Sequence, residues 1–303
     1  MAGVETTGNH AKALWPGVRA WFGAKYNKHP QEWSKIFDAR NSEKNYEEDV
    51  EITGYGLAPV KTEAGSVAYD SMNQGATKRY THVVYGLGFI TSEEEFEDNL
   101  YKDKSFRRTE FLAFSIAQTE EIVAANVLNR AFNSSYTGAD GKELLATDHP
   151  SLAGTWANEL GTAADLSEAS LEDLCTLIME AKNSRGLNIA LMPKRLIVPP
   201  ALAFDAERIL KSQLQSGSET NDINALRSMG LFSEGAVVNH YLTDSDAFFV
   251  KTNAPYGLTR FTRRAAAIQK DGDFDTGNMK CKSTIRFSVG WTDPRGLYGT
   301  PGA

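Results

Sequence analysis

Apolar residues follow a helical period over one long stretch of the chain and alternate over several shorter ones. From Phe106 to Phe132 there is neither Pro nor Gly, and Leu112, Ile116, Thr119, Val123 and Val127 recur at three- and four-residue steps. Phe111, Ile122 and Leu128 widen that stripe, so the pattern predicts a helix packed on more than one side. At the usual rise it would run roughly 40 Å, long enough to brace a whole domain. Ser105 and Thr109 are candidate caps with Glu110 in the first turn, and the run Asn133-Ser-Ser-Tyr-Thr-Gly138 ends it. The cleanest alternation is Met279–Trp291, where Cys281, Ile285, Phe287 and Val289 interleave with Lys280, Lys282, Arg286 and Ser288. Leu258–Ile268 is its expected antiparallel partner. The odd positions of Met279–Trp291 are expected to face the helix, with the aromatic N-terminal arm or a neighbour's hairpin covering another side.

The remaining elements follow in order. Residues 1–45 read as an arm: Gly, Pro and polar residues interrupt it, yet Trp15, Trp21, Phe22, Tyr26, Trp33, Ile36 and Phe37 are spread through it. Short helices are expected from Pro16 to Ala24 and from Gln31 to Phe37. Too few apolar residues are contiguous to bury one another, so the arm must dock within the chain or on another. Tyr46–Val60 alternates at period two, with Pro59 excluding a central strand, and Arg79–Thr91 is a second β-rich run. With the polar link between them they predict a long two-stranded excursion, which alone is marginal in water. Ser92-Glu-Glu-Glu95 is a capping box for a short acidic helix reaching Tyr101. Asn133–Asp165 is a long, weakly patterned connection with a tight-turn signal at Asp140-Gly141.

From Leu166 helix and strand alternate. Leu171, Leu174, Cys175 and Ile178 mark a helix face, with Lys182 and Arg185 in the last turn and Gly186 as the stop. A strand, Arg195–Val198, ends at Pro199-Pro200, and a helix over Ala201–Leu214 turns Leu202, Ala206, Ile209 and Leu210 inward. A polar loop, Gln215–Gly230, leads to strands Ala236–Leu242 and Asp246–Lys251. This is an α/β unit inside a chain whose overall class is α+β.

Composition narrows the function classes. The 303 residues are 41% hydrophobic and 23% charged, the balance of an ordered protein able to bury a core. A formal charge of −7 argues against a surface built to grip phosphates. No apolar run approaches the length of a membrane span, and no membrane partner is expected. Cys175 and Cys281 lie in different elements, as in a reduced compartment. Asp271, Asp273 and Asp275 imitate a calcium loop, but Thr276 replaces its Gly and Lys282 its Glu, which leaves a solvated turn. Gly54-Tyr-Gly56 and Gly86-Leu-Gly88 lack the third Gly of a dinucleotide loop, and no nucleophile elbow exists. Asp148-His149 is the most enzyme-like spot, without a paired nucleophile. The basic face Lys280, Lys282 and Arg286 reads as solvated or paired with carboxylates in preference to a nucleic-acid contact. No catalytic, cofactor-binding or metal residue is assigned and no cofactor is expected; the chain is built to make surfaces.

The order of arm, hairpin, acidic helix, long helix, α/β unit and returning β tail resembles the major capsid protein of tailed double-stranded DNA bacteriophages, the Hong Kong 97-like fold. Tyr80–Thr91, Tyr136–Gly141 with Thr147–Pro150, Leu196–Pro200, Asn221–Asn224 and Gly290–Gly296 carry the likeness, which covers nearly the whole chain. The resemblance implies an N-terminal arm (1–45), an extended loop reaching over a neighbour (46–91), a peripheral domain (92–165 and 259–303) with spine helix 106–132, and an axial domain (166–258) whose loops meet at five- and six-fold axes, Gln215–Gly230 among them. It implies a structural virion protein, not an enzyme: hexamers and pentamers closing into an icosahedral shell around packaged DNA touched only non-specifically, with a portal at one vertex.

The resemblance also implies assembly in the bacterial host cytoplasm and leaves room for a decoration protein. Because the recognisable arm starts almost at once, a separate scaffolding protein is expected in place of a cleaved leader. Subunit-interface candidates are Trp15, Trp21, Phe22 and Trp33 in the arm; Tyr55, Lys61, Glu63, Tyr69, Lys78 and Arg79 in the loop; and Asn221 and Asp222 in the axial segment. The Lys and Asn residues of the loop match no cross-linking motif. The alternatives are another self-assembling virion component, such as a tail-tube or decoration protein, and a hydrolytic enzyme with a loop site at Asp148-His149. A tail-tube or decoration protein would be dominated by β-structure and lack a spine helix.

Overall fold

The structure is a computed structural model that describes residues 21–94, 101–214, 222–273 and 275–303. Helix α1 (Trp33–Ile36) leads into β1 (Asp38–Asn41), the pair β2 (Tyr46–Ile52) and β3 (Gln74–Thr81), then β4 (Val83–Thr91) and helix α2 (Tyr101–Asn129). After a small hairpin, β5 (His149–Ser151) with β6 (Gly154–Trp156), come α3 (Glu168–Met179), β7 (Pro193–Val198), α4 (Ala203–Lys211), α5 (Ala225–Met229), β8 (Ala236–Val238) and β9 (Phe248–Thr252). Strands β10 (Leu258–Gly272), β11 (Met279–Trp291) and β12 (Leu297–Thr300) close the chain.

Two four-stranded sheets result, ordered β1-β10-β11-β4 and β12-β9-β7-β8. The predicted pairing of the tail holds, from Leu258 opposite Trp291 to Gly272 opposite Met279. Helix α2 lies on the first sheet: Leu112, Ala113 and Ile116 pack with Ile268, Ile285 and Phe287, and Phe22 of the arm joins them. Farther along, Ala124 and Leu128 pack with Trp33, Ile36 and Phe37 and reach Phe249 and Leu297 of the second sheet. The arm therefore covers a second side of the helix, as the aromatic pattern suggested. The second sheet holds its own core under α3 and α4, with Leu171, Leu174, Ile178, Leu196, Phe248 and Tyr298. Side chains of this size each contribute about 1.5–3 kcal/mol on burial.

Four expectations need correction. Of the three residues read as widening the stripe of α2, Leu128 is buried as expected, but Phe111 and Ile122 face outward, 68% and 42% exposed. The side against the sheet and arm combines Leu112, Ile116 and Leu128 with the buried Ala113, Ala117, Ala124 and Ala125, whose small side chains let the helix approach its partners closely. The run Arg79–Thr91 is not one strand. It divides at His82, so that β3 pairs with β2 while β4 leaves to pair with β11. Helix α3 stops at Met179, which puts Lys182 and Arg185 beyond it; Gly186 then turns the chain at φ 81°. And Arg107–Asn129 is, by length and composition, apolar enough to cross a membrane. It instead carries Glu120 and Glu121 buried against the arm and sheet, each with hydrogen-bond partners, as a helix inside a folded core does.

Smaller differences follow local chemistry. The polar Gln215–Gly230 segment contains helix α5, capped by Asn224 accepting from the Arg227 amide and ended by Gly230 at φ 62°. Pro200 opens a 3-10 turn before α4 in place of a longer helix, and Ala206 and Ile209 of α4 are buried as predicted. The acidic capping-box helix, the start of the Pro16–Ala24 helix and residues 215–221 fall largely outside the described residues.

Candidate functional site

Asp148-His149 is not a reactive pair. Asp148 turns outward to Lys142, while the His149 ring is fully buried, stacked on Trp156 with centroids 4.7 Å apart. Its Nδ1 sits 2.7 Å from Asp140 Oδ2 and its Nε2 3.0 Å from Asn158 Oδ1. Asn158 also accepts from the Ala146 amide and donates to the carbonyls of Leu144, Pro294 and Leu297. Every polar atom in the group is occupied in holding the 133–165 connection to the chain end. Sequence reasoning chose His149 and missed Asn158, which has no motif and is marked only by its buried contacts. The two cysteines are buried thiols; burial pushes Cys175 up to about 12 and raises Cys281 as well, so neither is poised as a nucleophile. Among the described residues no group of His, Cys, Asp and Glu could hold a metal ion.

Exposed apolar surface collects on the excursion. Beyond β2 the chain leaves the ladder at Thr53, whose hydroxyl and amide close on Asn73. Between those two residues Leu57 is 80% exposed, and Val60 and Tyr69 are each 96% exposed. Tyr55, Lys61, Val67 and Tyr69 line an open groove of about 440 Å³. The base of this loop is fastened to its own chain. Arg185 reaches Asp70 at 2.5 Å and the Ser71 carbonyl at 2.6 Å, and Asp70 accepts from the Gly56 amide at 2.8 Å. These bonds hold the Asp70 carboxyl below its usual range, the Gly56 amide contributing most. At the root of the hairpin His82 lies between Ser42 and Ser288 at 2.9 and 3.0 Å, and Tyr80 donates or accepts at Thr292, 2.6 Å away.

The interface candidates separate accordingly. Tyr55, Lys61, Glu63 and Tyr69 lie on the exposed loop, and Trp21 is 39% exposed with Lys25 above its ring. Arg79 is exposed but pairs with Glu48 and covers Tyr46. Lys78 is half-buried over Trp291. Phe22 and Trp33, at 3% and 7% exposure, belong to the subunit's own core, which corrects their place among the interface residues. They are buried because the arm folds back on α2: Glu121 accepts from the amides of Glu32 and Trp33, both at 3.0 Å. Asp222 stands beside α5; Trp15 and Asn221 lie outside the described residues.

Comparison with known proteins bears on what such a chain does. The sequence model of a family described as phage capsid protein matches residues 75–299. No curated protein sequence matches the chain. A virus-like particle chain from Pyrococcus furiosus superposes with a TM-score of 0.55 at 15% identity, covering 93% of this chain and 97% of that one. The SrpI encapsulin of Synechococcus elongatus PCC 7942 gives 0.53 at 10% identity, over 90% and 88% of the two chains. The capsid chain of bacteriophage JBD30, in particles decorated with minor capsid protein trimers, gives 0.54 at 13% identity, over 71% and 91%.

Proposed function

Because the chain belongs to the phage capsid protein family and has the Hong Kong 97-like fold, we propose that it is the major subunit of a phage head, its copies joining as hexamers and pentamers in an icosahedral shell around double-stranded DNA. It is a structural protein of the virion, not an enzyme. The observation that carries the finer reading is the loop between Thr53 and Asn73: Leu57, Val60 and Tyr69 stand in water on a segment held firmly at its base. Solvating that much apolar area is unfavourable, and a neighbouring subunit that covers it removes the cost. In this reading 46–91 is the extended loop, 92–165 with 259–303 the peripheral domain, 166–258 the axial domain and 1–45 the arm. Assembly takes place in the host cytoplasm with a scaffolding protein and a portal, and a decoration protein is compatible with the outer surface.

Weak contacts repeated around each subunit add up, so a few covered side chains per neighbour suffice. The test replaces residues 57–68 by a short Gly-Ser link, which leaves β2, β3 and the Asp70 clasp in place. Negative-stain microscopy is expected to show closed particles or capsomer rings for the unmodified chain. The shortened chain should give folded protein without shells. Normal shells from the shortened chain would contradict the role of the loop, and tubes from the unmodified chain would point to a tail component.

A further inference from the structure

The outward face of the first sheet carries cations that the fold leaves unanswered. Strand β1 ends opposite Thr262, and directly beyond it the β10–β11 register is irregular on both sides of Arg264. This irregularity turns Arg263, Arg264 and Ala265 to solvent in succession, where regular alternation would have buried one of them. Arg264 sits opposite Arg286 on β11, and Lys282 stands two pairs farther along the same face. Arg263, Arg264 and Lys282 have no ion-pair partner among the described residues, and Arg286 has only Asn45, its buried Nε being unpaired. Lys280 alone on this face is answered, by Asp273 at 2.6 Å. The positive field is felt inside the sheet: burial first, then Arg286 and Arg263, depress the protonation of His82.

The neighbouring edge is apolar. In β4 Val84 lies opposite Arg286 and Ile90 opposite Lys280, 52% and 59% exposed, and no strand lies beyond β4 among the described residues. Between them Gly88 keeps the face flat, since a Cβ there would meet the Cys281 carbonyl at 2.6 Å.

We propose that this face is a contact surface for a second copy of the chain, which supplies carboxylates to Arg263, Arg264, Lys282 and Arg286 and apolar side chains to Val84 and Ile90. The inference rests on the shell reading and adds to it where one subunit receives another. Charge complementarity identifies the occupant: the chain has 39 acidic against 32 basic residues, so a second copy brings surplus carboxylates. A nucleic acid would neutralise the arginines but gain nothing by covering Val84 and Ile90, whereas a protein surface can answer both.

The experiment uses the full chain with Arg264→Glu and Lys282→Glu combined, alongside Arg264→Gln with Lys282→Gln. Thermal unfolding reports the fold, and sedimentation with microscopy reports particles. Both double variants should melt within a few degrees of the unmodified subunit. Particle yield should fall at least tenfold for the Glu pair and less for the Gln pair. Assembly of the unmodified chain should weaken between 0.1 and 1 M salt, as the screening length drops from about 10 to 3 Å. Unchanged yield in a folded Glu variant overturns the proposal, and so does a variant that assembles but loses co-purifying nucleic acid. If the Glu pair does not fold, the Gln pair decides by the same yield criterion. Absence of particles from the unmodified chain brings down the shell reading itself, and this surface with it.

Discussion

Glu120 and Glu121 are adjacent in α2 and both buried, yet their partners differ. Glu120 takes a hydrogen bond from Arg260 at 2.5 Å and one from Tyr26 at 2.5 Å, so a cation offsets part of its desolvation. Glu121 has only the amides of Glu32 and Trp33, and burial raises it to about 7 despite them. A carboxyl raised from 4.5 to about 7 keeps its proton in the fold at pH values where the unfolded chain has lost it. The fold therefore gains stability as pH falls from about 7 towards 4.5 and loses it as pH rises through that window. Each unit of such a shift is worth about 1.4 kcal/mol. Glu121→Gln removes this titration, and other carboxyls such as Asp140, held low by its contacts with His149, cancel in the comparison. The stability of the native chain relative to the variant, from urea unfolding at pH 5 and pH 8, is expected to be greater at pH 5. A difference that does not change with pH contradicts the account.

At the scale of elements, α2 tests how far an apolar pattern specifies packing. Its existence and length were legible because nothing interrupts the run. The inward face was legible as well, in Leu112, Ile116, Val123 and Val127; its width was not, since Phe111 and Ile122 lie on the neighbouring helical line and face outward. That width is decided by packing with Phe287 and Ile285 across the interface, which the local pattern cannot report. Ala113→Leu should cost about 1–3 kcal/mol by overpacking. Phe111→Ser, exposed on the same helix, should stay within about 0.5 kcal/mol. Thermal melts of the two variants compare them directly, and equal losses would contradict the assigned face. The break at His82 was illegible for a similar reason: Arg79–Thr91 has uniform β character. Only the pairing of His82 with Ser42 and Ser288, residues far away in sequence, shows that the chain turns a corner there. Exposed aromatics of the loop were visible in composition, whereas Phe22 and Trp33 looked alike and are core. Arg264 escaped notice because its exposure comes from a register irregularity, not from alternation.

For the whole molecule, the question is how a subunit keeps an apolar loop in water without folding it into its own core. The clasp of Arg185 on Asp70 and Ser71 offers an answer. It ties the loop's base to the chain just past α3, while Tyr69, next to the clasp, remains 96% exposed. An exposed ion pair of this kind adds little to stability. On the proposed reading its effect is to restrict the orientations from which the loop meets a neighbour, which lowers the ordering cost of association. Arg185→Ala is therefore expected to leave the subunit's melting temperature within about a degree or two. Amide exchange over residues 54–72 should quicken, and shell formation followed by light scattering should slow several-fold. Because the contacts themselves remain, the final yield at high subunit concentration should approach that of the native chain. If the loop exchanges faster and assembly keeps its rate, the clasp orients nothing. If the melting temperature falls with the rate, Arg185 belongs to the fold more than to the assembly.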